Sequence, residues 1–124
     1  GGDIQTAVVA AMRHPRVKLA AHLRFIRELP CLTCGDNTST EAAHIRMGDR
    51  SAGKRPTGMG EKPSDIWTVP LCGACHRYQH KSSEAAFWQE LGIDPVKKAL
   101  ALWAASGDHE IGLRILSHTE VSGD

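Results

Sequence analysis

The sequence predicts a small α+β domain whose middle is held together by metal and whose flanks are helical. Three observations predict it. The four cysteines fall in two Cys-x2-Cys pairs, Cys31/Cys34 and Cys72/Cys75, with none left over. Two short runs, 41–45 and 66–71, bracket a loop without apolar pattern, and the second (IWTVPL) is rich in branched and aromatic residues. Outside that middle, apolar residues recur at helical steps, with proline or glycine punctuating the runs. A chain of 124 residues suits a single domain with a modest core that metal can reinforce.

The helical lead spans 3–30. Asp3 is the expected N-cap of a first helix carrying Val8, Val9 and Met12. Pro15 interrupts it, because the residue before a proline is pushed out of the helical region, and a second helix starts there. Leu19, Leu23 and Ile26 form its apolar stripe, and Pro30 stops it. The core then runs over 31–91. Cys31 to Gly35 makes a knuckle, and glycine supplies the freedom that such a turn needs. The two strands follow, separated by loop 46–62 with four glycines and five Lys/Arg, and one helix is expected over 75–91. A knuckle ahead of a β-hairpin, with a second Cys-x2-Cys opening a helix, is a treble-clef arrangement. In the tail, 94–120, Asp94-Pro95 starts a helix with Val96, Leu100 and Trp103 on one face. Gly107 closes it, and Asp108 caps a last helix through Ile111 and Ile115.

Composition narrows the chemistry. Hydrophobic content of 41% and charged content of 23% fit a globular chain, and no apolar run nears the ~18 residues of a membrane span. Without a secretory signal pattern the cysteines point to a reducing, cytoplasmic setting, where thiolates bind metal; a disulfide framework is the alternative. Four thiolates in two knuckles are the ligand set of a closed structural Zn²⁺ site. A net charge of +1 makes no global case for nucleic acid, so that case rests on local clustering.

His76 and His80, four residues apart, leave one helix face and could hold a second metal; the plainer reading makes them surface residues. Glu84 continues that stripe, either as a support for the metal site or as a solvated partner of Arg77 or Lys81. His44, at the end of the first strand between small and apolar neighbours, is a structural histidine or a base that deprotonates water. Arg46, Arg50, Lys54, Arg55 and Lys62 in the glycine-rich loop could follow a phosphate backbone or form a solvated surface.

The pattern Cys-x2-Cys, Ala43-His44, Cys72-x2-Cys75-His76-x3-His80 resembles the HNH endonucleases of the ββα-metal group. The run over 43–88 is similar to phage and prophage members, among them the RecA-dependent recombination-enhancement nucleases. The likeness covers roughly residues 31–104. It implies a ββα-metal core and metal-dependent hydrolysis of DNA phosphodiesters, linked to recombination or DNA processing. His44 matches the base that activates water, and His76 and His80 match the ligands of a catalytic divalent ion such as Mg²⁺. DNA is the implied partner, with a recombinase filament as a second, in a bacterial or phage-infected cytosol.

Two positions depart from the pattern. Ala43 stands where the group often has a metal ligand, and Trp67, nine residues before His76, stands where an asparagine usually orients the base. Asp65, two residues before Trp67, is the expected substitute as orienter or ligand. The rival reading is a non-catalytic zinc module that binds nucleic acid or protein through a degenerate site. RNA cleavage is a third reading, since the hydrolytic groups do not themselves select the sugar.

Overall fold

The two strand-forming runs pair with each other. In the computed structural model, which describes residues 17–117, β1 (Thr40–His44) and β2 (Thr68–Cys72) form an antiparallel ribbon. Its register sets Glu41 opposite Leu71, Ala43 opposite Val69 and His44 opposite Thr68. Pro70 can sit in β2 because its backbone faces away from β1, where its carbonyl accepts from Leu32 N–H at 2.8 Å. That bond hangs the first knuckle on the outer edge of the ribbon.

Among the described residues five α-helices surround it: α1 (Ala20–Arg27), α2 (Gly73–His80), α3 (Glu84–Leu91), α4 (Pro95–Ala104) and α5 (His109–Ser117). The α+β class is as expected. The predicted helix carrying Val8, Val9 and Met12 lies outside the described residues, as does the end of the tail. Among the described residues no helix is long and apolar enough to cross a membrane.

A two-stranded ribbon is marginal alone and depends on what covers its faces. Side chains alternate along β1. Ala43 therefore joins Val69, Leu71, Phe87, Trp88, Val96 and Ala99 in the larger core, while Ala42 packs against Phe25, Ile26, Leu29 and Leu102 in a smaller one. Fully burying one such leucine or isoleucine contributes ~1.5–3 kcal/mol.

Three elements differ from the sequence expectation. The helix expected to start at Pro15 begins at Ala20, because the chain before it is drawn out along the β2 approach. Val17 N–H donates to Ser64 Oγ at 2.9 Å, Asp65 N–H donates to Val17 O at 2.9 Å, and Leu19 N–H donates to Asp65 Oδ2 at 2.7 Å. These long-range bonds take backbone groups that a further helical turn would have used. The stripe rotates accordingly, to His22, Phe25 and Ile26. The helix expected over 75–91 is two helices. Ser83 breaks it by capping α3, its hydroxyl accepting from Ala86 N–H at 3.3 Å, and the turn lets Phe87 and Trp88 reach the core. Loop 46–62 is not structureless: it carries a 3-10 turn over Arg50–Ala52 closed by a bridge between Asp49 and Lys54. The tail follows its signals: Asp94 caps α4, Pro95 is its first residue, and Asp108 accepts from Ile111 N–H at 3.1 Å.

His22 joins α1 to the turn after α4. Its Nδ1 lies 2.8 Å from Ser106 Oγ, its ring meets Trp103 edge-on, and its Nε2 is buried without a partner among the described residues. Burial holds the ring down to about 4, against a smaller upward pull from the Asp65 carboxylate. The unfolded chain therefore binds an extra proton between about 6.5 and about 4, so stability present above that window is lost as pH falls through it. At ~1.4 kcal/mol per pKa unit the loss is on the order of 3 kcal/mol. Proton NMR should find one histidine titrating near pH 4 that disappears in His22→Phe. A ring titrating at an ordinary ~6.5 would refute this.

Candidate metal centre

Two structural junctions bring the four thiols together. Cys31 and Cys34 lie on the knuckle after α1, which is closed by Gly35 N–H to Cys31 O at 2.9 Å and Cys31 N–H to Asp36 O at 2.9 Å. Gly35 takes φ +82°, a conformation a side chain would strain. Cys72 ends β2 and caps α2, its sulfur accepting from Cys75 N–H at 3.5 Å. The four sulfurs lie within 4.8 Å of one another, and all four cysteines are free. Cys34 Sγ and Cys72 Sγ are 3.7 Å apart. Two ligands at ~2.3 Å from one tetrahedral ion would be about 3.8 Å apart, so the spacing fits Zn²⁺. The cluster could hold a structural metal.

The thiols are electrostatically unequal. Burial alone would raise Cys31, but the Thr33 hydroxyl and the backbone N–H groups of Cys72, Cys34 and Thr33 outweigh it and bring it to about 6. Burial, with the neighbouring Cys72 thiol, pushes Cys75 up to about 12. The Cys31 thiolate thus forms readily, whereas Cys34 and Cys75 resist ionisation until a cation shares the site.

His76 and His80 leave α2 on the face predicted. Their Nε2 atoms are 3.2 Å apart, and His76 Nδ1 lies 2.7 Å from Glu41 Oε1 on β1. Glu41 was not singled out by sequence; finding it needs the strand register, which sets it opposite Leu71 beside the start of α2. Glu84 does not continue the histidine stripe. Its carboxylate accepts from Arg46 N–H at 3.0 Å and Met47 N–H at 2.8 Å, pinning the start of the loop.

His44 meets the other predicted residue directly. Its Nε2 lies 2.8 Å from Asp65 Oδ1, while Asp65 Oδ2 accepts from Leu19 N–H. Asp65 is only 2% exposed, so this carboxylate is held from two sides. By strand alternation His44 leaves the face of β1 opposite to Glu41. Ala43 and Trp67 are both buried in the larger core, so neither is placed to ligate or orient anything.

The basic loop folds back on itself. Asp49 and Lys54 bridge around the 3-10 turn Arg50–Ala52. Lys54 is 4% exposed, with Nζ donating to Met47 O at 2.7 Å and lying over the Trp67 ring. Burial is the main cause bringing its ammonium down to about 8. Arg46 donates to the carbonyls of Gly58 and Glu61, and Arg55 pairs with Glu61. Of the five cations read as phosphate contacts, Lys54 is turned inward, Arg46 and Arg55 brace the loop, and Arg50 and Lys62 are exposed. Lys54→Ala would leave the Met47 carbonyl unpaired, with an expected cost of about 1–3 kcal/mol in a urea melt. Arg50→Ala should stay within ~0.5 kcal/mol, as exposed substitutions do. Equal effects of the two would refute the buried role of Lys54.

A family model described as a protein of unknown function (DUF968) matches residues 6–106. The match takes in residues ahead of the first knuckle, which the nuclease resemblance does not. No curated protein and no solved structure matches the chain.

Proposed function

The chain belongs to the DUF968 family, and we propose that it is a zinc-stabilised, divalent-metal-dependent endonuclease that hydrolyses DNA phosphodiesters. The observation that carries the reading is the 2.8 Å contact between half-buried His44 and buried Asp65. An ionised carboxylate only accepts, so the ring proton of neutral His44 sits on Nε2 and the Nδ1 lone pair is free as a base. Water loses its proton to Nδ1 as its oxygen attacks phosphorus, and the bond to the 3′-oxygen breaks. His76 and His80 would hold the divalent ion, which would supply Lewis-acid stabilisation of charge on the phosphodiester. Asp65 holds the imidazole in one tautomer and steadies the imidazolium that forms. Arg50 and Lys62 are the exposed loop cations available to a phosphate backbone. A reducing cytosol, where thiolates stay free for metal, is the compartment this site suits.

One set of observations favours the rival, a zinc module without catalysis. Ala43 and Trp67 are core residues, and three of the five loop cations are used internally. Plasmid nicking with Mg²⁺, Mn²⁺, Co²⁺ or Ni²⁺, against an EDTA control, separates the two. Nicking that requires the added ion supports the endonuclease; none with any of the four leaves the module.

A further inference from the structure

We propose that Glu41 is the positioning carboxylate of a second, open divalent-cation site formed by His76 and His80. The proposal rests on the reading that these two histidines hold the second ion, and it adds the group that aims them.

Glu41 Oε1 lies 2.7 Å from His76 Nδ1. A carboxylate at that distance makes a charge-assisted bond and can only accept. The proton of the neutral ring is then fixed on Nδ1, which leaves the Nε2 lone pair facing away from the strand. That lone pair faces His80 Nε2 at 3.2 Å. Two nitrogens each ~2.0–2.1 Å from one ion, at tetrahedral to octahedral angles, lie roughly 2.9–3.4 Å apart, so the pair is spaced for a shared cation. Carboxylate, histidine and metal in this order is how proteins set ligand tautomer and basicity.

The backbone makes the contact reproducible. Gly73 N–H donates to Ser39 O at 3.2 Å, tying the first turn of α2 to the edge of β1. α2 starts directly after Cys72, so the thiol cluster fixes its axis. A Cβ on Gly73 would lie 3.3 Å from Glu41 Oε2, so the absent side chain leaves the carboxylate its room. His80 and Glu41 are both exposed, which leaves an ion here open to water or substrate. The closed thiol cluster offers no such opening.

The experiment titrates zinc-loaded protein with Ni²⁺ by calorimetry, checking zinc content afterwards, and records long-range ¹H–¹⁵N imidazole spectra before Ni²⁺ is added. Wild type should show His76 as the Nδ1–H tautomer and bind one Ni²⁺, and His76→Ala should abolish that binding. Glu41→Ala should lose the tautomer preference and weaken Ni²⁺ by ~10–100-fold with zinc content and melting temperature unchanged. Glu41→Gln, which keeps an acceptor and loses the charge, should fall between. If Glu41→Ala binds Ni²⁺ like wild type while His76→Ala does not, the positioning role is overturned and the histidine site stands. If wild type binds no Ni²⁺, or His76→Ala binds it equally, the histidine site and the role of Glu41 fall together.

Discussion

Stripping metal from the four-thiol cluster is expected to unfold the protein, or to lower its melting temperature by tens of degrees. The knuckle over 31–35 has no helix or strand of its own and is held by a few backbone bonds. Yet its buried Cys31, like Cys72 at the end of β2, belongs to the larger core, beside Val69 and Leu71. A metal held by the four thiols would therefore join the edge of the ribbon to the start of α2. Zinc binding at such sites is worth ~10–16 kcal/mol of apparent free energy, against ~5–15 kcal/mol for the whole stability of a typical domain. The metal-free protein then sits near the unfolding threshold. Cys75, pushed up to about 12, stays a neutral thiol without a cation, so loading must release protons and weaken in acid. Cys72→Ser should be the most damaging single change, because Cys72 also ends β2 and caps α2. Elemental analysis should find about one zinc per chain, and circular dichroism with and without a strong chelator should show the collapse. A chelated, metal-free protein melting within a few degrees of the loaded one would overturn this account.

What was legible in the sequence shares a physical cause: the signal and the structure it predicts are local. Asp94-Pro95 starts α4 because cap and φ are set within one turn, and the Cys-x2-Cys pairs give the sulfur cluster because each knuckle is its own template. What was not legible depends on distant partners. The late start of α1 is decided by Ser64 and Asp65, which take the backbone groups of Val17 and Leu19. Lys54 reads as a surface charge, but its ammonium fills a buried position between the Met47 carbonyl and the Trp67 ring. Charge in a sequence does not report which way a long side chain turns. Glu84 reads as part of the histidine stripe because four-residue spacing assumes one continuous helix, and Ser83 ends that continuity. Asp65 was reachable as a substitute orienter, whereas Glu41 needed the register of the hairpin.

His44→Ala is expected to cut the rate of metal-dependent nicking by ~10²–10⁴-fold, the usual contribution of a general base. It should leave the fold nearly intact, because the His44 side chain is partly exposed and belongs to neither apolar cluster. Asp65→Asn should behave differently. An amide in that position either presents its NH₂ to Leu19 N–H, leaving a donor unpaired, or turns its NH₂ to His44 and reverses the ring tautomer. The first costs about 1–3 kcal/mol of stability. The second moves the ring proton onto Nδ1 and removes the lone pair that takes the proton from water, a loss that reached roughly 10⁴-fold in the serine-protease triad. Rates and melts together therefore separate the two residues: His44→Ala loses rate alone, and Asp65→Asn loses rate with or without stability. The double variant decides whether they act as one unit. If Asp65 works only through His44, adding Asp65→Asn to His44→Ala should lower the rate no further, since the group it orients is gone. A double variant slower than His44→Ala by the full single-variant factor would give Asp65 an independent task, such as holding the ion. A wild type that nicks no faster than His44→Ala would place the base elsewhere and leave His44 a structural residue of the ribbon.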